Sequence, residues 1–292
     1  MISYQIKHRL HHTWGIIAGH AQHNWHELHR LAAREDHPSE QLVQAFSRYF
    51  EQDISPNAYA QLASIESLRT QLSTSKQQIE QIDFGASSPD ASLTEVEMQQ
   101  GTPVLKTVAR PTASSKRPHS ARLLYHLVRS FTPQHAIELG TNVGISAAYQ
   151  ATALTENGRG ILITLEGSPA IAELACADLS RLGLTNVIVE VGRFADTLDR
   201  VLQTYRPADY LFIDGHHDEQ ATLAYFEQAH PYLSTHALLI FDDINWSSGM
   251  RRAWSTLQAD PRLRITMTVQ GMGVGIVGEA HLPKQDYTLY LV

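Results

Sequence analysis

Five acidic residues stand where a buried strand gives way to a loop. Asp214 lies in the run Phe212-Ile-Asp-Gly-His-His217, and Asp242 with Asp243 in Ile240-Phe-Asp-Asp-Ile-Asn-Trp246. Glu138 sits near the end of the run His135-Ala-Ile-Glu-Leu139, and Glu166 follows the next strand-like run, 160–165. Carboxylates gathered at neighbouring strand ends repel one another unless a cation or a ligand joins them. Asp214, Asp242 and Asp243 together make a hard oxygen site suited to Mg²⁺ or another divalent cation. The plainer alternatives stay open: Asp214 hydrogen-bonds a ligand or caps the following helix, and Asp243 caps the helix near Trp246. Of the adjacent histidines, only one can face such a site, and His216 is assigned to structure or to the rim.

Glu138 and Glu166 belong to a different task. The stretch from His135 to Ser146 reads as strand, glycine turn and helix, with Gly140 and Gly144 bracketing the turn. Only glycine lets a backbone bend so sharply and approach a ligand closely. An acidic residue beside that turn argues against a phosphate ligand and suits a positive charge or hydroxyls. Glu166, ending the next strand, stands where an acid takes a ribose diol. The glycine register decides between nucleotides. Counting from Gly140, Asn142 and Ile145 fall where a dinucleotide fingerprint needs its later glycines, and no Gly-Lys-Ser/Thr follows for a phosphate loop. The turn reads Glu-x-Gly-x-x-x-Gly instead.

These residues need a scaffold of alternating strands and helices. Strand-like runs fall at 135–139, 160–165, 186–191, 208–213, 236–241, 263–269 and 274–277. Helical stretches lie between most of them, at 145–154, 168–182, 195–205, 219–233 and 247–258. That alternation predicts an α/β fold, a doubly wound, seven-stranded, mainly parallel sheet with helices on both faces. The short link at 270–273 makes the final strand antiparallel, and 287–292 is a candidate edge strand. In such a sheet ligands sit at the carboxyl ends of the strands near the switch point, so the acids would converge on one crevice.

Upstream, residues 1–100 are read as an N-terminal helical region, a dimer contact or a lid, and residues 101–292 as the catalytic domain. Leu62, Ile65, Leu68, Leu72, Ile79 and Ile82 recur at helical spacing. Ser39 is a candidate helix cap, and 85–92 has loop composition. A second polar segment, 110–119, enters the helix at 120–131 and either covers the cofactor or serves as a plain linker. Eight of the sixteen histidines lie within residues 1–37, four of them at a period of three (His20, His23, His26, His29). Without a nearby carboxylate or cysteine pattern, that stripe reads as a partly solvated helix face or a subunit contact more than as a metal site.

The bulk composition narrows the function classes. Hydrophobic content of 43% and charged content of 18% describe an ordinary globular chain of 292 residues. A net charge of −7 without a basic block disfavours nucleic acid. The single cysteine, Cys176, fits a reducing compartment, and no apolar run is long enough to span a bilayer. A cytoplasmic protein without a signal peptide, and a homodimer, is the expectation.

The order of these features resembles the class I S-adenosylmethionine-dependent methyltransferases. The resemblance implies that Glu138, Gly140, Thr141, Asn142, Gly144 and Ser146 hold the methionine part of S-adenosylmethionine. It implies Glu166 on the ribose and Gly192, Arg193 and Phe194 around the adenine, with Asp214 also at the cofactor. Phe212-Ile-Asp-Gly-x-His217 followed by an acidic pair resembles the metal-dependent small-molecule O-methyltransferases. Catechol and caffeoyl-coenzyme A types carry Asp-Asn at the later pair, and the catechol type has a lysine where this chain has His217. Macrolide-sugar types carry an acidic pair and an Asp-x-x-His whose histidine is the base, which is the nearer match. The resemblance covers roughly residues 120–280. It implies a metal at Asp214, Asp242 and Asp243, with Asp214 and His217 as catalytic residues and His217 accepting the acceptor's proton. Metal-free use of the same cofactor, for N-methylation or intramolecular cyclisation of the cofactor, is the alternative. The acceptor pocket is expected among the N-terminal helices, 110–119 and 245–250, with Trp246 and Met250 either lining it or belonging to the core.

Overall fold

A computed structural model describes residues 19–84, 101–279 and 282–291. The strands are β1 (Gln78–Asp83), β2 (Thr102–Thr107), β3 (His135–Leu139), β4 (Ile161–Glu166), β5 (Val187–Val191), β6 (Ala208–Ile213), β7 (Leu233–Phe241), β8 (Leu263–Val269), β9 (Met272–Val277) and β10 (Gln285–Leu289). The last eight form one sheet in the order β10-β8-β9-β7-β6-β3-β4-β5. From β3 the chain winds outward through β4 and β5, then returns to β6 beside β3 and winds the other way. The switch point therefore lies between β3 and β6, which pair in parallel. β9 runs antiparallel to β8, as the short link requires, and also to β7.

The central strands are apolar on both sides because helices cover both faces. Ala136, Leu162, Tyr210, Leu238 and Ile240 point to one face, and Ile137, Leu139, Ile163, Leu211 and Leu239 to the other. The first face packs against α5 (Pro118–Phe131) and α6 (Ile145–Asn157), and the second against α8 (Phe194–Thr204), α9 (Glu219–Ala229) and α10 (Ser248–Ala259). α7 (Pro169–Arg181) follows β4 and also contributes to the first face. α2 (His37–Glu51) and α3 (Pro56–Ser73) stack outside α5 and α6, and Leu42, Phe46, Leu62 and Ile65 join the same core.

Three sequence expectations are corrected. The sheet has eight strands rather than seven, because Gln285–Leu289 pairs in parallel with β8 and buries Tyr287 and Leu289. The helix carrying Leu62 to Leu72 stops at Ser73, and Ile79 and Ile82 lie in β1. Ile79 stands seven residues from Leu72 and Ile82 three further on, which mimics helical spacing, but the hydroxyls of Ser73 and Thr74 bond back to the carbonyls of Thr70 and Gln71 and end the helix. The cap of α2 is Asp36, whose carboxylate accepts the N–H of Ser39. β1 and β2 pair antiparallel as a separate two-stranded sheet.

The first half of the histidine stripe packs on the sheet edge, while His26 and His29 are exposed. In α1 (residues 19–32), His23 bonds the carbonyl of Thr288, and Asn24 both donates to and accepts from the backbone of Tyr290. His20 stacks on Tyr290 at 4.2 Å. A helix thus supplies partners that an exposed edge strand would otherwise seek from another chain. His8, His11, His12 and the loop at 85–92 lie outside the described residues.

Candidate active site

Gly140 is the hinge of the site. Its φ is +107°, and a Cβ there would stand 2.2 Å from the carbonyl oxygen of Asp214. Only a residue without a side chain lets the end of β3 approach the end of β6 so closely. The ladder runs on past the strands, because Asp214 N–H bonds Leu139 O and Asp242 N–H bonds Ile213 O, both at 2.9 Å. Asp214 and Asp242 are therefore fixed side by side by backbone pairing.

A cavity of about 680 Å³ opens at these strand ends, within the range of small-molecule and cofactor sites. Gly140, Asn142, Glu166, Arg193, Phe194, Asp214 and His217 line it, with His216 alongside. Glu166 is held by the N–H groups of Asn142 (2.8 Å) and Ser168 (2.9 Å). Burial pushes its carboxyl above the usual range, while those N–H groups pull the other way. Asn142 sits at φ +49°, and its side-chain amide donates to Pro111 O at 2.8 Å. The segment 110–114 is thereby tied to the glycine turn and forms part of the cavity wall.

Four of the expected cofactor residues lie behind the wall. Glu138 is fully buried and accepts from Gln150 (2.7 Å) and Thr164 (2.6 Å), and Ser146 also bonds it. Burial raises its carboxyl to about 7. Thr141 pairs with Thr164, and Gly144, at φ +80°, opens α6 against Ala175. Gly192 adjoins the lining, its N–H bonded to Glu166 O.

His216 hydrogen-bonds Tyr225 and meets Phe194 edge-on, and burial lowers its pKa. His217 Nε2 lies 3.6 Å from Asp243 Oδ2 and 4.0 Å from Asp214 Oδ1. Trp246 is half exposed with its ring 6.2 Å from that of His217, whereas Met250 is buried and takes a contact from the Thr222 hydroxyl. Trp246 is thus at the site and Met250 in the core.

The three aspartates do not gather as a metal donor set. Asp214 and Asp242 are both paired with the Lys116 ammonium, which lies 3.4 Å from Asp214 and in direct contact with Asp242. Asp243 has φ +50° and faces His217 instead. Among the described residues, no three His, Cys, Asp or Glu side chains converge in a way that could hold a metal ion. In this arrangement the carboxylates of Asp214 and Asp242 share one ammonium.

Sequence reasoning did not single out Lys116, Phe84 or Lys106. Phe84, just past β1, packs over Gly167, and Lys106 of β2 pairs with Asp83 at 3.2 Å, all at the cavity. The two-stranded sheet, rather than the N-terminal helices, supplies this wall. No alternation marks β1, because Ile79 and Ile82 are three residues apart.

A protein-family profile described as "Methyltransferase domain" matches residues 137–244. A catechol O-methyltransferase of Niastella koreensis is 32% identical over 134 residues, 45% of this chain and 59% of the relative. A catechol O-methyltransferase of Mycobacterium tuberculosis is 30% identical over 130 residues, 44% of this chain and 56% of the relative. The chain thus spans under two thirds of the length of these curated relatives. Among solved structures, cofactor-bound Rv0187 from MTB superposes with a TM-score of 0.50 at 25% identity, covering 58% of this chain and 86% of that one. No described helix is long and apolar enough to cross a membrane.

Proposed function

We propose, from the match of residues 137–244 to a profile described as "Methyltransferase domain", that the chain is an S-adenosylmethionine-dependent methyltransferase that transfers a methyl group to an oxygen of a small-molecule acceptor. One observation carries the reading. A single cavity joins the glycine turn and Glu166 to Asp214 and His217, so a cofactor bound on the first pair would present its reactive end to the second.

Glu166 would take the ribose hydroxyls through the lone pairs its backbone donors leave free. Arg193 and Phe194 would border the adenine, with Phe84 over Gly167 closing that end. Glu138 would act from behind, holding β3, β4 and α6 in register through Thr164, Gln150 and Ser146. The reaction is an in-line displacement in which the protein chiefly aligns donor and acceptor. His217 would accept the acceptor's proton, oriented by Asp243 and Asp214. Trp246 beside it would offer a flat apolar surface to an aromatic or ring-shaped acceptor. Relatives named as catechol O-methyltransferases support an acceptor hydroxyl of that kind.

The metal-assisted version rests on Asp214, Asp242 and Asp243 alone. The pairing of Lys116 with two of them favours the metal-free version, and no step here is routed through a divalent ion. The test is transfer of labelled methyl from S-adenosylmethionine to a panel of catechols, phenols and hydroxylated small molecules. Wild-type protein should yield S-adenosylhomocysteine and an O-methyl product. His217→Ala should lose about 100-fold in kcat, the usual scale of proton-transfer assistance. Retention of full rate by His217→Ala on every acceptor would remove the base assignment, and failure to bind S-adenosylmethionine would remove the whole reading.

A further inference from the structure

Lys116 stands on a short segment between two helices. α4 (Ala109–Ala113) ends three residues before it, and α5 begins at Pro118, two residues after it. The segment is anchored at several points. Val108 N–H bonds Gln77 O, the Thr112 hydroxyl bonds Val108 O, and Pro111 O accepts from Asn142. Pro111 and Thr112 are themselves buried. The lysine stem is therefore launched from a braced position, and its ammonium reaches the ends of β6 and β7.

The surroundings explain why a cation is needed there. Backbone pairing forces Asp214 and Asp242 onto neighbouring strand ends, and the Asp242 side chain is only 4% exposed and that of Asp214 15%. Two carboxylates so placed repel each other in a poorly solvated site. Lys116, its side chain 10% exposed, brings one positive charge to both. Asp243 is separate. It is 38% exposed and directed at His217. A divalent ion on Asp214 and Asp242 would have to displace an ammonium whose backbone is held on both sides.

We propose that the Lys116 ammonium is the resident cation of this site, occupying the place between Asp214 and Asp242 that a divalent ion would require, so that the chain works without a metal. Lys116 is a positioning residue in this scheme: it fixes the two carboxylates, and Asp214 in turn helps to orient His217. The inference rests on the methyl-transfer reading for its consequence in the reaction. There, the acceptor oxygen's lone pair forms the O–CH₃ bond as the S–CH₃ bond breaks. The electron pair returns to sulfur to give the thioether, and the acceptor's proton leaves through His217 to water. No further reactant is required.

The deciding measurement is Mn²⁺ binding, followed by electron paramagnetic resonance on the full chain, which needs no acceptor. Wild-type protein is expected to show no saturable site below millimolar Mn²⁺. Lys116→Met, which keeps the stem and removes the charge, should gain one site at least tenfold tighter, and adding Asp242→Asn should abolish it. Lys116→Arg should behave as wild type. With an acceptor in hand, wild-type turnover should stay within twofold in EDTA, while Lys116→Met should fall tenfold or more and recover partly with Mg²⁺. Saturable micromolar Mn²⁺ binding by wild-type protein that disappears in Asp242→Asn would overturn the proposal, as would a folded Lys116→Met that gains no site. If Lys116→Met does not fold, the wild-type and Lys116→Arg titrations decide alone. Failure of S-adenosylmethionine to bind would sink the methyl-transfer reading while leaving the Mn²⁺ result standing.

Discussion

At the end of β4 the crevice carboxylate is held by neutral donors, as is the Glu138 carboxyl buried behind the wall, whereas at the ends of β6 and β7 the carboxylates are held by a charge brought from elsewhere in the chain. Glu166 is met by the backbone N–H groups of Asn142 and Ser168, and Glu138 by Thr164 and Gln150. Asp214 and Asp242 instead meet Lys116, and Asp243 meets His217. Neutral donors leave lone pairs of Glu166 free to accept hydroxyls, which suits a half that would receive the ribose. A lysine cancels charge in advance, which suits a half that would meet a neutral hydroxyl. The two halves share one hinge at Gly140, so damage there should not stay on one side.

Gly140→Ala is expected to have the largest effect. The new Cβ meets Asp214 O, and φ of +107° is strained for any side chain. A loss of about 3 kcal/mol in stability should accompany a drop of more than tenfold in S-adenosylmethionine affinity, read by thermal melting and calorimetry. Wild-type affinity in Gly140→Ala would show that the halves are not coupled through this contact.

Glu138 sharpens the contrast through pH. Its folded-state carboxyl lies near 7, raised by burial from an ordinary 4.5. A raised carboxyl contributes stability that is fully present below the unfolded value and lost as pH rises through the folded one. Between about pH 4.5 and 7 the protein should therefore lose up to about 3 kcal/mol from this group. Urea unfolding at pH 5 and pH 8 measures the difference, and Glu138→Gln should flatten it. An undiminished slope in that variant would place the titrating group elsewhere.

Asn142→Ala is the mildest change. It removes one hydrogen bond to Pro111 and puts alanine at φ +49°. Roughly a two- to tenfold rise in the KM for S-adenosylmethionine is expected, the scale of one neutral hydrogen bond, with kcat little changed. A fall in kcat alone would mean that the 110–114 segment serves Lys116 more than it serves the cofactor.

Local sequence determined most of the scaffold and the first half of the crevice. The apolar runs of β3, β6 and β8 coincide with their observed spans, because strands buried on both faces leave continuous hydrophobic runs. Gly140, Asn142 and Glu166 were legible for a similar reason: a tight turn needs glycine at a set position, and an acid at the next strand end is set by strand length. Tertiary structure alone decided the rest. β1 was hidden because Ile79 and Ile82, three residues apart, fit a helical period and not an alternating one, and only its pairing with β2 selects the strand. Phe84 and Lys106 reach the cavity through that two-stranded sheet. Lys116 looks like any lysine in a polar loop. Its role comes from a contact across the fold with Asp214 and Asp242, and charge pairing at such a sequence distance leaves no periodicity or spacing to read. The acids therefore announced that a cation was needed, but only the folded chain could supply it from Lys116.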